Sequence, residues 1–331
     1  MNLLDWHSPE LLRVLAMKST LPHALLLSGP RGIGKLAFAR ALSQGLLCET
    51  PAPRGSACGT CSGCLWFDAG THPDYRQVEP ALVESETEDA VKKTTISVEQ
   101  VRALADFVNI SSHRGGAKVI VIEPAEALNV NAANALLKSL EEPPSGTFFL
   151  LVSHRPHQLL PTIRSRCQSI ALRAPDRAAA AAWLAQQGVQ AAEVALAHVG
   201  NAPLLALELN ASGYWGARTA FLNQLARPEL DVFAAAQAAE GSPIPHVLAW
   251  LQKWSYDVAQ HRAVGRVRYN PDYEKAIARA SAAAKPLAVL RFNREMVKAQ
   301  RNAQHPLNAR LFVEDVLLMY RNLFAKTAVA A

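Results

Sequence analysis

The 331-residue sequence has no apolar run approaching the roughly 18 residues that a membrane span needs; stretches such as Ala24 to Leu27 and Phe148 to Val152 are interrupted well before that. No transmembrane helix and no membrane partner are expected. The N-terminus, Met1-Asn2-Leu3-Leu4-Asp5-Trp6-His7, lacks the basic start and long apolar middle of an export signal, so a cytoplasmic protein is expected. Charge is sparse, 19% against 50% hydrophobic residues, which excludes a disordered or fibrous chain. At about 150 residues per domain, two or three domains follow. A strong excess of one charge is also missing. Residues 1–205 carry 18 Lys and Arg against 18 Asp and Glu, while residues 206–331 carry 16 against 10 and so hold the whole net charge of +6. That basic excess allows contact with nucleic acid or an acidic partner, but it is diffuse, and no base-reading motif accompanies it.

Cysteine is scarce, yet four of the five residues fall together: Cys48, Cys58, Cys61 and Cys64, spaced C-x9-C-x2-C-x2-C. In a cytosolic chain such grouping reads as a tetrahedral thiolate site, and structural zinc suits four sulfurs with no redox task. An iron–sulfur cluster or a redox pair is the alternative. Pro51, Pro53, Gly55, Gly59 and Gly63 supply tight turns around the sulfurs, and all four positions are filled, so no open site is left for a catalytic water. The expected task is to staple a loop.

The apolar run His23 to Ser28 ends in Gly29-Pro30-Arg31-Gly32-Ile33-Gly34-Lys35, and a helical pattern continues through Leu47. Strand, glycine loop and helix are the context of a phosphate-binding P-loop, and Gly29-x4-Gly34-Lys35 has its spacing. There the backbone N–H groups face phosphates and the lysine adds charge, which makes Gly29, Gly32, Gly34 and Lys35 candidate nucleotide-binding residues. The Ser or Thr that should follow to bind magnesium is lacking; Leu36 stands in its place. Val119-Ile120-Val121-Ile122-Glu123 reads as a buried parallel strand ending in a metal-facing carboxylate. A second acid, which would activate water, is replaced by Pro124, with Glu126 in the following loop as a stand-in. Two parts of the hydrolysis machinery are thus missing. The site reads as degenerate, its ATP binding in doubt and hydrolysis not expected.

Elsewhere, Glu79 to Lys93 reads as a solvated acidic loop, and Ser97-Val98-Glu99-Gln100 resembles a capping box that opens a helix. Asn131 to Leu140 predicts a helix and Phe148 to Ser153 another buried strand, so residues 20–170 predict a parallel α/β sheet. After Pro175 an alanine-rich stretch begins at Ala178, no convincing strand returns, and the second half is expected to be all helical. Trp250 and Trp254 share a helical face and read as core or subunit interface. The apolar-rich helix from Arg310 to Tyr320 suits packing against other subunits.

With Leu21-Pro22-His23-Ala24, Asn134-Ala135-Leu136-Leu137-Lys138-Ser139-Leu140-Glu141-Glu142-Pro143-Pro144, Thr162-Ile163-Arg164-Ser165-Arg166-Cys167 and His305-Pro306-Leu307-Asn308-Ala309-Arg310-Leu311, the chain resembles the clamp-loader branch of the AAA+ ATPases over nearly its whole length. The resemblance implies an α/β AAA+ P-loop domain over residues 1–172 with a zinc insert at 48–64, an all-α lid over 173–206 and an all-α collar over 207–331. It further implies membership of the DNA polymerase III holoenzyme, a DNA-directed DNA polymerase, in a five-subunit ring with gamma/tau ATPases and delta. That ring would place a sliding clamp on primed DNA during replication. ATP-hydrolysing members carry a lid arginine that Gly200-Asn201-Ala202-Pro203-Leu204-Leu205 lacks, which points to a non-hydrolysing stator; an ATP-hydrolysing motor subunit is the alternative, since Lys35 survives.

By the same resemblance Arg166 is the arginine finger that projects in trans into a neighbour's ATP site; the other reading pairs it with a carboxylate on its own surface. Arg164 is a candidate supporting phosphate or interface contact, and Ser153 falls at the first sensor position or merely caps a strand end. Cys167 reads as a packing residue, and His72, His154 and His157 as ordinary surface or loop residues.

Overall fold

The computed structural model describes residues 3–81, 95–110, 112–113, 116–303 and 308–324. Most of the expected acidic loop, residues 82–93, and the segment His305 to Leu307 lie outside the described residues. The chain divides into two compact units, Met1–Asp176 and Arg177–Ala331.

In the first unit β1 (Ala24–Ser28), β2 (Tyr75–Val78), β3 (Lys118–Ile122), β4 (Thr147–Ser153) and β5 (Gln168–Ala171) form one parallel sheet in the order β2-β3-β4-β1-β5. Every residue of β1 and β3 is buried, which is why both are written as unbroken apolar runs rather than as alternating ones. Strand β4 lies between them, pairing Ser28 with Ser153 and Ile122 with Leu151. The carboxyl ends of β1, β3 and β4 are therefore level. That register gathers the glycine loop, Glu123 and Ser153 at one edge of the sheet. The Val98–Asn109 helix opens with the expected capping box: Ser97 Oγ accepts from the Gln100 amide at 3.4 Å, and Gln100 Oε1 accepts from the Ser97 amide at 3.0 Å.

Among its described residues the second unit is helical throughout. Ala180, Leu184, Leu196 and Ala206 centre a small core among the helices from Arg177 to Asn210. A larger core holds Phe221, Trp250, Trp254, Leu317 and Tyr320. Both tryptophans are fully buried, so of the two readings of that helical face the core is the one realised. Trp254 Nε1 donates to the Tyr320 hydroxyl at 2.6 Å.

Trp215 packs against both clusters, and beside it a buried polar network ties the same helices together. Arg218 is 2% exposed and donates to His198 Nδ1 at 3.2 Å, to Asn270 Oδ1 at 2.9 Å and to both oxygens of Asp272 at 2.7 and 2.9 Å. Burial, with Lys253 and Arg218 nearby, holds His198 down to about 2, so the ring is neutral and free to accept. Asp257 fixes the loop that supplies Asn270 by accepting the amides of Arg268, Tyr269 and Asn270. Removing one partner of such a set leaves the others buried and unpaired. Arg218→Met is expected to lower unfolding free energy by about 3 kcal/mol, the low end of the range for a broken buried pair because Asp272 keeps 28% exposure. Urea titration of the two proteins reads this directly, and an unchanged midpoint would contradict it.

Candidate functional site: a glycine loop, a four-cysteine cluster and a surface arginine

The glycine loop joins β1 to the Lys35–Leu47 helix, as its spacing requires. Gly29, Gly32 and Gly34 have φ of +151°, +78° and +100°, in the range that favours glycine. At Gly34 a Cβ would also meet Leu4 Cδ1 at 2.6 Å, so the N-terminal segment lies directly on the loop. Trp6 Nε1 donates to the Ile33 carbonyl at 3.2 Å, and His7 Nε2 bonds the same oxygen at 2.8 Å. Since a carbonyl only accepts, His7 carries its proton on Nε2. Lys35 is turned inward: its Nζ donates to the carbonyls of Gly29 at 2.8 Å and Pro30 at 2.5 Å, and the residue is 3% exposed. Burial pulls its ammonium down to about 8, against the opposing pull of Glu126 and Glu123.

The acids opposite the loop are spoken for. Glu126 accepts the backbone amides of His154 at 2.9 Å and Arg155 at 3.1 Å; against the effect of burial, a hydrogen bond with the Ser153 side chain, followed by backbone bonds that include the His154 amide, holds its carboxyl below the usual range. It ties the loop after β3 to the end of β4, an employment that does not suit the base for which its position made it a stand-in. Ser153 is fully buried, and its Oγ accepts the Arg155 amide at 3.2 Å. Glu123 faces His154 Nε2 at 3.6 Å. His154 and His72 both lie in loops, as expected; His72 is buried there, with Nδ1 accepting the Asp74 amide at 3.0 Å.

The four cysteines come together. Their sulfurs lie within 4.8 Å of one another, with Cys48–Cys61 and Cys58–Cys64 both at 3.9 Å. That is far beyond the roughly 2.05 Å of a disulfide but close to the ~3.8 Å edge of a tetrahedron whose metal–sulfur bonds are ~2.3 Å. Gly59, at φ +74°, turns the chain so that the amides of Thr60 and Cys61 donate to Cys58 Sγ at 3.4 and 3.3 Å. The Thr50 hydroxyl adds a third donor at 3.3 Å, and together they pull the Cys58 thiol down to about 5. Donors converging on sulfur are what a bound thiolate needs. The cluster can therefore hold a metal ion.

Arg166 follows the short Pro161–Arg164 helix. Ile163 is buried in the sheet core, and Cys167, partly buried, packs against it with a thiol pushed up to about 11 by burial. The chain is thereby pinned on both sides of the arginine. Arg166 pairs with Glu141 and donates to the Thr162 carbonyl at 2.9 Å, so the own-surface partner considered from sequence is present. Arg164 is exposed.

The family described as "DNA polymerase III, delta subunit" matches residues 7–176, and that described as "DNA polymerase III, delta subunit, C terminal" matches residues 212–321. The DNA polymerase III subunit delta' of Pseudomonas aeruginosa is 42% identical over 247 residues, covering 72% of each chain. That of Escherichia coli is 36% identical over 251 residues, or 74% of this chain and 72% of its own. The Yersinia pestis subunit is 33% identical over 92% of this chain and 88% of its own. With a parallel P-loop sheet, a four-cysteine cluster and a helical second unit beneath these matches, the chain belongs to the delta' family of DNA polymerase III clamp-loader subunits.

Proposed function

We propose that this subunit is the non-hydrolysing stator of its clamp loader, and that it lends Arg166 in trans to the ATP site of a neighbouring subunit. The observation that carries the first half is the state of Lys35. A P-loop lysine that serves a nucleotide points its ammonium at the phosphates; here both described bonds of that ammonium go to the loop's own carbonyls, beneath a glycine loop covered by Leu4, Trp6 and His7. Leu36 offers magnesium no hydroxyl, and Pro124 offers water no base. For the second half, Arg166 is a permanent planar cation held at the surface by anchors on either side.

In this reading residues 1–172 form the AAA+ domain, 173–206 the lid and 207–331 the collar, the last joining gamma/tau ATPases and delta in a ring of five. The ring acts in the cytoplasm on the sliding clamp and primed DNA. The cysteine site holds zinc, with Cys48, Cys58, Cys61 and Cys64 as its only ligands and a structural task.

Steady-state ATP hydrolysis and equilibrium nucleotide binding by the isolated chain test the stator reading. The expected result is no turnover, with Lys35→Ala indistinguishable from wild type in both measurements. Turnover that Lys35→Ala abolishes would make the chain a motor.

A further inference from the structure

The trans reading leaves open how an exposed, flexible arginine is kept ready for a phosphate on another chain. An unrestrained arginine populates many rotamers, and fixing them costs free energy each time the contact forms. Arg166 is not unrestrained. Its Nη2 pairs with the Glu141 carboxylate at the end of the Val130–Glu141 helix, and its Nη1 donates to the Thr162 carbonyl at 2.9 Å. The Ser165 hydroxyl donates to that same carbonyl at 3.0 Å, which holds the turn around it. Two acceptors on separate elements therefore fix the plane of the guanidinium. A guanidinium has five N–H donors, so three beyond these two bonds are without a partner among the described residues, and the side chain keeps 34% of its surface exposed.

We infer that Glu141 is a positioning residue for Arg166: it aims the guanidinium out of the surface while leaving donors free for the phosphoryl group of the neighbour. This rests on the trans reading above. The pair is not a stability device, because ion pairs at 34% and 48% exposure contribute little to folding. Position also separates the two acids that end the helix. Glu141 reaches Arg166, whereas Glu142, equally an exposed glutamate, makes no ion pair among the described residues and serves as a charge control.

The test uses the fully assembled loader with ATP, clamp and primed DNA, and single-turnover hydrolysis as the readout. Glu141→Ala and Glu141→Gln are expected to slow turnover at the site facing Arg166 about tenfold, a part of the arginine's own effect, with KM for ATP nearly unchanged. Glu141→Asp should recover some of the rate, and Glu142→Ala should match wild type. On an Arg166→Ala background, Glu141→Ala should cost nothing further, because the residue acts only through the guanidinium. Size-exclusion chromatography confirms that each variant enters the ring. A wild-type rate in Glu141→Ala, an equal loss in Glu142→Ala, or full additivity with Arg166→Ala overturns the inference. If Arg166→Ala itself turns over like wild type, the trans reading fails and the tether with it; an impaired Arg166→Ala beside a normal Glu141→Ala fails the tether alone.

Discussion

Loader rebuilt with Arg166→Ala is expected to lose roughly 10³-fold in hydrolysis at the one ATP site that this subunit faces, the lower end of what arginine fingers supply. The charge on a transferring phosphoryl group grows toward the transition state and is met best by a cation that is planar, always protonated and already oriented. Alanine removes all of that while disturbing the fold little, since Arg166 sits at the surface and its pair with Glu141 is exposed. The variant should therefore assemble normally. On the proposed trans reading, other ATP sites of the loader take no arginine from this chain, so bulk hydrolysis is expected to persist while the phosphate burst falls by one site and fewer clamps are left on primed DNA. Arg166→Lys keeps the charge without the planar fork and should recover only a part. A wild-type burst from the Arg166→Ala loader would remove the trans role altogether.

The reach of the sequence differs between the shape of the site and its state. The glycine loop, β3 and β4 were legible because burial on both faces leaves a continuous apolar run, and because only glycine tolerates the φ values that the loop adopts. The cysteine cluster was legible because its spacing encodes its geometry. Strand β2 was not: Tyr75-Arg76-Gln77-Val78 is a half-exposed edge strand with two polar residues in the middle, and it exists because β3 offers it a partner. The contacts that the N-terminal segment makes with the glycine loop were hidden for a different reason. They depend on Leu4, Trp6 and His7 meeting residues about 27 positions away, and no local pattern reports a contact made by folding. The part Glu126 plays was equally hidden, since residue type cannot tell that its oxygens accept two backbone amides. The Arg218 network is of the same kind, joining groups 20 to 54 residues apart.

Removing the metal should unfold the module and leave the sheet. Purified protein is expected to contain about one zinc per chain, Cys64→Ser almost none, and Cys167→Ser the full amount, because Cys167 stands apart from the cluster. Cys64 is the most revealing ligand to change. It is fully buried, its thiol is pushed up to about 12 by burial, and only a bound cation makes a thiolate favourable there. Serine offers no comparable ligand and leaves a buried hydroxyl in its place. Structural zinc in small modules contributes on the order of 10 kcal/mol of binding free energy, which exceeds what the few apolar contacts of residues 48–68 can replace. Phe67, buried and 4.7 Å from the ring of Tyr75, and the 3.0 Å bond from Gln44 to Asp68 join this module to β2 and to the P-loop helix. Chelation should therefore abolish hydrogen-exchange protection at Cys58, Cys61 and Cys64, whose amides donate to sulfur, and loosen the outer turns of the helix. Amides of β1, β3 and β4 should keep theirs, being bonded to one another within the sheet. Protection at Cys58 and Cys61 that survives both chelation and Cys64→Ser would mean that turns and packing alone hold the module. A visible iron–sulfur absorbance in place of zinc would reassign the metal.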